Sequence, residues 1–175
     1  ADKYIGLKDV EASINRWRKQ AGLPPLTALE SAYEGEERLS GKIGGEIREF
    51  EHNRVEPLAK KIAAADESMG VTTEEVDDYL MLRHAIERNA VAHRRTAKSR
   101  DPEMVLDPET NPGSGALKSG ERLADSFVKE RMKSRYGMDW NDSTDIWSGG
   151  NERGQLLQDI AVDADQIIEE ANDRL

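Results

Sequence analysis

The sequence predicts an all-α protein, an elongated multi-helix bundle of about five helices with two long loops. Apolar residues recur every three or four positions in several segments, which is the spacing of one helix face. No stretch of convincing length shows the apolar–polar alternation of a strand. Charged residues make up 34% and aromatic residues only 5% of the chain. The apolar stripes are therefore narrow, and we expect the protein to rely on neighbouring molecules.

Residues 1 to 66 are predicted to form N-terminal helices with a glycine-rich interruption. The first helix is expected over residues 7 to 21, and a glycine followed by two prolines, Gly22, Pro24 and Pro25, ends it. Thr27 then caps a long second helix with a narrow apolar seam. The predicted apolar positions of the two helices are Val10, Ile14 and Trp17, then Leu29, Tyr33, Leu39, Ile43, Ile47 and Phe50.

Three glycines, Gly41, Gly44 and Gly45, interrupt this seam in the stretch SGKIGGEI. Each glycine inside a helix costs up to about 1 kcal/mol relative to alanine. They predict either a close approach of two helices or a break in the helix, and the sequence leaves both open. Pro57 disfavours helical geometry at Glu56, so a kink or restart is expected there before PLAKKIAAA.

Residues 67 to 175 are predicted to form a second helical module. A turn at Gly70 leads to Thr72, which with Glu75 makes a capping box for a third helix over residues 73 to 97. Residues 101 to 120 are predicted to form a long loop. A fourth helix carries Leu123, Phe127, Val128 and Met132, with Gly137 as its left-handed C-terminal cap.

The C-terminal part of this module is predicted to be an irregular stretch over residues 138 to 154, followed by a final helix. The irregular stretch holds Trp140 and Trp147, which we expect to be local core or interface anchors. The final helix has an acidic outer face. Its expected apolar face is Leu156, Leu157, Ile160, Ala164, Ile167, Ile168, Ala171 and Leu175.

Composition excludes several classes of site. The chain has no cysteine and three histidines, which excludes disulfides and thiolate metal sites within it and makes a metal site unexpected. It contains no apolar run of about 18 residues and no signal-peptide core, so no transmembrane segment is expected. Because the chain begins at Ala1 without a methionine and ends at Leu175 within a helical pattern, we expect it to be a piece of a larger polypeptide.

Charge is distributed unevenly along the chain. The net charge of −10 argues against general nucleic-acid binding, which depends on lysine and arginine. Residues 80 to 100 nevertheless carry six basic side chains against the single acid Glu87, whereas residues 139 to 175 carry ten acids against Arg153 and Arg174. We expect the two segments to face each other within the fold or across a subunit contact. The candidate face for phosphate or an acidic partner consists of Arg94, Arg95, Lys98 and Arg100.

The stretch DYLMLRHAIERNAVAHRR, residues 78 to 95, looks catalytic at first sight. His84 and His93 are nine residues apart, however, which places them about half a turn from each other on a helix, so they cannot ligate one metal. Arg83 and Glu87 have the spacing of an ordinary helix ion pair. The glycines of NPGSG lack the Lys-Ser/Thr of a phosphate loop. No catalytic residue and no cofactor are therefore expected.

The run Tyr-Leu, Arg-His-Ala, Glu-Arg-Asn followed by a Gly-Ser-Gly turn resembles a region of very large polyvalent bacteriophage proteins. In this chain the resemblance covers roughly residues 50 to 175. It includes FEHNRVEPLAKKI upstream and the helix ending LLQDIAVDADQIIEEANDRL. The residues that match the motif are Tyr79, Arg83, His84, Glu87, Arg88, Asn89, Gly113, Ser114 and Gly115. The resemblance implies a non-catalytic helical module of internal virion (DNA-ejection) or antirestriction type, with any enzymatic domain elsewhere in the parent polypeptide.

The function expected from the resemblance is that of a structural module in a phage internal virion protein. Such a module lies in the virion interior and then in the host cell envelope on infection. Its partners are other copies or other ejection proteins, with DNA as a further partner through the basic patch. The alternatives are an accessory helical domain of a virion-borne enzyme, such as RNA polymerase or lytic transglycosylase, and a DNA-protecting antirestriction protein.

Helical geometry also predicts what the motif does locally. The buried stripe of the third helix should be Tyr79, Leu82, Ile86, Ala90 and Ala97, with His93 near it. Arg88 and Asn89 are expected to tie this helix to the NPGSG loop, because the backbone groups of an ordered loop need partners.

Overall fold

A computed structural model describes residues 6–26, 42–99, 104–105, 121–122 and 124–175. The described part of the chain is dominated by helices, and its four strands are only two to four residues long. The predicted all-α class is therefore confirmed. The elements are α1 (Leu7–Gln20), α2 (Lys42–Phe50), a π-helical turn (Glu51–Val55), α3 (Glu56–Met69), α4 (Thr73–Ser99), β1 (Met104–Val105), β2 (Glu121–Arg122), α5 (Asp125–Tyr136), β3 (Met138–Asn141), β4 (Ile146–Gly149) and α6 (Glu152–Asp173).

The chain divides into two compact units. One, which we call the α4–α5 unit, contains Gly6 and the described residues between 72 and 157. The other, the α1–α3 unit, contains the described residues between 7 and 71 together with residues 158–175 of α6. The predicted modules, residues 1 to 66 and 67 to 175, stay a prediction. The units group Gly6, residues 67–71 and residues 158–175 differently from these modules.

In the α1–α3 unit, α1 begins and ends within one residue of its predicted bounds. Val10, Ile14 and Trp17 are buried, as their spacing predicted. Gly22 ends the helical turn with a φ of 77°, a left-handed conformation that glycine adopts without strain. Trp17 packs with Ile47 and Ala171, and its ring lies edge-on to that of Phe50 at 5.1 Å between centroids. This cluster joins α1, α2 and the end of α6.

The helix from α2 to α3 is continuous through a π-helical turn. It was predicted to be interrupted at Pro57, but the irregularity lies just before the proline, at Glu51–Val55. A π turn is wider than an α turn and has a different hydrogen-bond register, and Glu56 donates its backbone N–H to the carbonyl of Glu51. Pro57 therefore lies in the first turn of α3, where the missing N–H is tolerated.

The glycine-rich interruption is also resolved in part. Gly44 and Gly45 lie inside α2, which begins at Lys42, so the helix is not broken at these two residues. A Cβ on Gly45 would meet no atom within 4 Å, which excludes a close helix approach at this position. Thr27, Gly41 and the apolar seam before Lys42 lie outside the described residues.

In the α4–α5 unit, α4 begins as predicted. The Thr72 Oγ1 accepts the backbone N–H of Glu75 at 3.2 Å, which is one half of the predicted capping box. Val76 and Leu80 of α4 and Val128 and Met132 of α5 are fully buried. Gly137 caps α5 with a φ of 65°, which confirms the predicted left-handed cap.

Residues 138 to 154, predicted to be irregular, contain a β-hairpin. β3 pairs antiparallel with β4, with Met138 opposite Gly149 and Trp140 opposite Trp147. The two tryptophan rings lie edge-to-face at 5.1 Å between centroids, an arrangement that stabilises a cross-strand pair. In the connecting turn, Asn141 Oδ1 accepts the backbone N–H of Ser143 at 2.9 Å. β1 and β2 form a separate parallel pair of two residues each.

α6 begins directly after this hairpin. Asn151 caps it by accepting the Gly154 backbone N–H at its Oδ1 at 2.8 Å. The buried positions of α6 are Leu157, Ile160, Ala161, Ala164, Ile167 and Ala171. They confirm most of the predicted apolar face. Leu175 was included in that face, but it lies after the end of the helix and is 51% exposed.

Candidate functional site

The α4–α5 unit contains a buried carboxylate that links its two main helices. Asp78, in the second turn of α4, is 3% exposed. Three side chains of α5 donate to it: Arg131 Nη1 at 3.2 Å, Arg135 Nη1 at 3.3 Å and the hydroxyl of Tyr136 at 3.1 Å. We call these four residues the Asp78 cluster. Arg131 and Arg135 are four residues apart, so one face of α5 presents both guanidinium groups to the same carboxylate.

Desolvation dominates the electrostatics of the cluster. Burial raises the pKa of Asp78 above its ordinary value, although the two arginines and the hydrogen bond from Tyr136 act in the opposite direction. Burial also lowers the pKa of Arg131, whose guanidinium lies over the ring of Phe127 at 4.3 Å from its centroid. The attraction between these charges therefore does not fully offset the cost of removing them from water.

Two buried phenols lie beside the carboxylate. The rings of Tyr79 and Tyr136 meet edge-on at 5.2 Å between centroids, and the Tyr79 hydroxyl donates to Met138 Sδ at 3.4 Å. Burial raises the pKa of Tyr79 to about 12 and also raises that of Tyr136. Both phenols therefore stay protonated near neutral pH. They act here as packing groups and hydrogen-bond donors rather than as bases.

The structure distributes the motif residues along α4. Tyr79 and Asn89 are buried, and Arg83, His84, Glu87 and Arg88 are partly exposed. His84 Nδ1 lies 3.7 Å from Glu87 Oε2, and the backbone carbonyl of Arg83 accepts the indole N–H of Trp147 at 3.1 Å. The last contact ties the β3–β4 hairpin to α4. Gly113, Ser114 and Gly115 lie outside the described residues.

The predicted stripe of α4 is correct in its first half. Tyr79, Leu82 and Ile86 are buried, but Ala90 is exposed. Asn89, one position earlier, is buried instead. Ala97 and His93 have no described side chains.

Asn89 contacts the beginning of α5. Its Nδ2 donates to Asp125 Oδ1 at 2.6 Å, so it ties α4 to the first turn of α5. The NPGSG loop that Arg88 and Asn89 were predicted to hold lies outside the described residues. The same is true of the side chains of the predicted basic face, Arg94, Arg95, Lys98 and Arg100. The first three of these belong to α4 by backbone position.

Two acidic side chains of α6 form ion pairs within the α1–α3 unit. Lys61 Nζ lies 2.5 Å from Asp163 Oδ2, and the Arg54 guanidinium donates to the carboxylate of Glu170. Lys61 and Arg54 belong to α3 and the π-helical turn, not to the basic segment at residues 80 to 100. The predicted facing of the basic and acidic segments, within the fold or across a subunit contact, stays a prediction.

The α1–α3 unit has a buried ion pair of its own. Arg18 Nη1 donates to Glu51 Oε1 at 2.5 Å, and Arg18 Nε donates to the carbonyl of Pro24 at 2.7 Å. Both side chains are almost completely buried. Glu51 opens the π-helical turn. The pair links α1, the chain after it and the α2–α3 helix at one point.

Sequence reasoning missed the Asp78 cluster and the Arg18–Glu51 pair. Asp78 lies in EEVDDYL, where acidic residues are expected near a helix N-terminus, so its sequence position gave no sign of burial. Arg131 and Arg135, four residues apart and followed by Tyr136, carried a partial signal, because this spacing places both guanidinium groups on one helix face.

The chemistry available to the Asp78 cluster is limited. Each of its three donors is directed at the carboxylate of Asp78, so the carboxylate is occupied by contacts within the fold. The part of the chain that the structure describes contains no group of three or more His, Cys, Asp or Glu side chains that could hold a metal ion. The arrangement joins α4 to α5.

None of the described helices is long and apolar enough to cross a bilayer. Comparison of the chain with family models, with curated proteins and with solved structures gives no match.

Proposed function

We propose that this chain is a non-enzymatic structural module of a phage internal virion (ejection) protein. It assembles with other copies or with other ejection proteins, and the assembly helps to deliver DNA into the host cell. Its place is the virion interior and then, on infection, the host cell envelope.

The position of the motif residues carries the proposal. Tyr79 packs against Tyr136 and donates to Met138, and Asn89 donates to Asp125. Tyr79 and Asn89, two buried residues of the motif, thus hold α4 against α5 and the hairpin. Motif residues that hold helices together in this way support a scaffold module.

The composition of the core gives further support. The buried apolar positions form narrow stripes at helical spacing. In α6, three of the six are alanines, Ala161, Ala164 and Ala171. Stripes of this kind bury little apolar area per helix and favour association with further helices. Such a module fits a protein that works as part of an assembly.

Mass spectrometry of virions tests the proposal. Virions of the phage that encodes the chain are purified by density gradient and analysed before and after DNA ejection is triggered with host membrane. Peptides from residues 42 to 99 and 124 to 175 should be present in intact virions, depleted from emptied ones and recovered with the membrane fraction. The major capsid protein, which stays with emptied particles, is the control.

Two results would overturn the proposal. Recovery of the peptides only from lysates of infected cells would exclude a virion protein. Equal amounts in full and emptied particles, normalised to the capsid protein, would exclude ejection.

A further inference from the structure

The outer side of α6 carries an exposed stripe at regular helical spacing. Its positions, which we call the α6 stripe, are Asp159, Val162, Gln166, Glu169 and Asp173. They are three or four residues apart, the spacing of a helix face that packs on another helix. All five are exposed, and Val162, the second of the five, is 46% exposed. They lie on the side opposite the buried positions of the same helix.

The charge of the α6 stripe is of one sign. Its three ionisable positions, Asp159, Glu169 and Asp173, are all acidic, and Val162 and Gln166 lie between the first and the second of them. Two acids beside the stripe form ion pairs within the same unit: Asp163 pairs with Lys61 and Glu170 pairs with Arg54. The α6 stripe is therefore the surface of α6 on which another molecule can bind. A partner must be cationic, and it needs apolar stems to cover Val162, as lysine and arginine side chains provide.

A strongly charged segment of the opposite sign lies near the middle of the sequence. Residues 80 to 100 hold Arg83, Arg88, Arg94, Arg95, Lys98 and Arg100 against the single acid Glu87. α4 continues as a helix to Ser99, so positions 94, 95 and 98 fall within about one turn. Helical positions at this spacing match the three- and four-residue steps of the α6 stripe.

We propose that the α6 stripe of one copy binds the basic end of α4, residues 88–99, of a second copy. The contact is heterologous, because different surfaces of the two copies meet, so it can propagate from copy to copy. A single helix face of five positions buries little area, which makes the contact weak and sensitive to salt. The inference rests on the proposed function in one respect: it names another copy of the chain as the partner of that module.

Sedimentation velocity on charge-reversal variants tests the contact. The purified chain is measured from about 10 to about 500 μM at low ionic strength and again at about 0.5 M salt. The wild-type sedimentation coefficient should rise with concentration at low salt and stay at the monomer value at high salt. The variant D159K/E169K/D173K should associate at least about tenfold more weakly. The variant R94E/R95E/K98E should be weakened equally.

A matched control separates the stripe from net charge. E49K/D66K/E67K makes the same change of charge at exposed positions of the same unit and should keep wild-type association. Mixing the two weakened variants should yield a heterodimer, because one keeps an intact acidic stripe and the other an intact basic segment. Circular dichroism confirms that each variant is folded.

Three results would overturn the inference. These are a wild-type chain that stays monomeric at the highest concentration, a control that loses association as much as the stripe variant, and mixed variants that fail to pair. None of them would alter the outcome of the virion experiment, so the failure of this contact and the failure of the proposed function can be told apart.

Discussion

Removing the carboxylate of Asp78 should destabilise the protein far more than removing its charge. In Asp78→Ala, Arg131 and the hydroxyl of Tyr136 remain buried and lose their shared acceptor. Breaking a buried ion pair by deleting one partner costs about 3–5 kcal/mol. Arg135 adds little to this, because it is 47% exposed and can turn to solvent. We therefore expect a loss of about 3–5 kcal/mol in the free energy of unfolding for Asp78→Ala.

Asp78→Asn is the matched comparison, because the amide keeps one oxygen as an acceptor for the α5 donors. The pKa of Asp78 is raised, which means that burial already disfavours the charged form. Losing the charge should therefore cost only about 1–2 kcal/mol. Urea unfolding followed by circular dichroism at helical wavelengths measures both variants. Equal losses for Asp78→Ala and Asp78→Asn would refute the argument that the acceptor, rather than the charge, holds α4 to α5.

The same pKa shift fixes the sign of a pH effect. A carboxyl group whose folded-state pKa lies above its unfolded value binds protons more tightly in the folded protein. Its contribution to stability is fully present below the unfolded pKa, ordinarily 3.8 for this group, and is lost as pH rises through the folded pKa. The cost of Asp78→Asn should therefore be greatest in acid and decrease as pH rises. A cost that grows with pH would show that the arginines dominate instead.

Three further predictions concern single contacts, each measured by the same urea unfolding. Gly154→Ala should lower the free energy of unfolding by about 1–3 kcal/mol, because an added Cβ would overlap the backbone carbonyl of Tyr136. Gly45→Ala, at a position on α2 where an added Cβ meets open space, should raise the free energy of unfolding by about 0.5–1 kcal/mol. Thr72→Ala should cost about 1 kcal/mol through loss of the α4 cap, and an unchanged midpoint would contradict the cap. Asn89→Ala should cost about 1–2 kcal/mol and speed hydrogen exchange in the first turn of α5 but not in its last turn.

Apolar spacing predicted the helices well because each helix buries one stripe. The start of α1, the cap of α4 at Thr72 and the end of α5 at Gly137 follow from local rules that do not depend on distant parts of the chain. The buried face of α6 was likewise visible in its three- and four-residue steps. Each of these features depends on residues that lie within one or two helical turns of one another in the sequence.

The β3–β4 hairpin and the π-helical turn were missed for local reasons. Each strand is four residues long, too short for an alternating pattern to stand out, and the main signal was the pair Trp140 and Trp147. Pro57 was taken as an interruption because the rule for the residue before proline assumes an α-helical turn. The wider turn at Glu51–Val55 lets the helix continue into Pro57. A change of hydrogen-bond register over five residues is too short to alter the spacing of apolar residues from which helices are predicted.

The pairing of the helices was missed for a different reason, since it depends on residues far apart in the sequence. Arg18 meets Glu51 across 33 positions, and Asp78 meets Arg131 across 53. Narrow stripes rich in alanine and isoleucine tolerate a shift of one helix past another by a turn, because similar side chains then replace one another. A buried charge does not tolerate such a shift, since losing its partner costs several kcal/mol. Each unit has a buried pair of this kind among the residues that the structure describes. We therefore infer that the charged residues select the partner and register of each helix, while the apolar stripes supply most of the stabilisation.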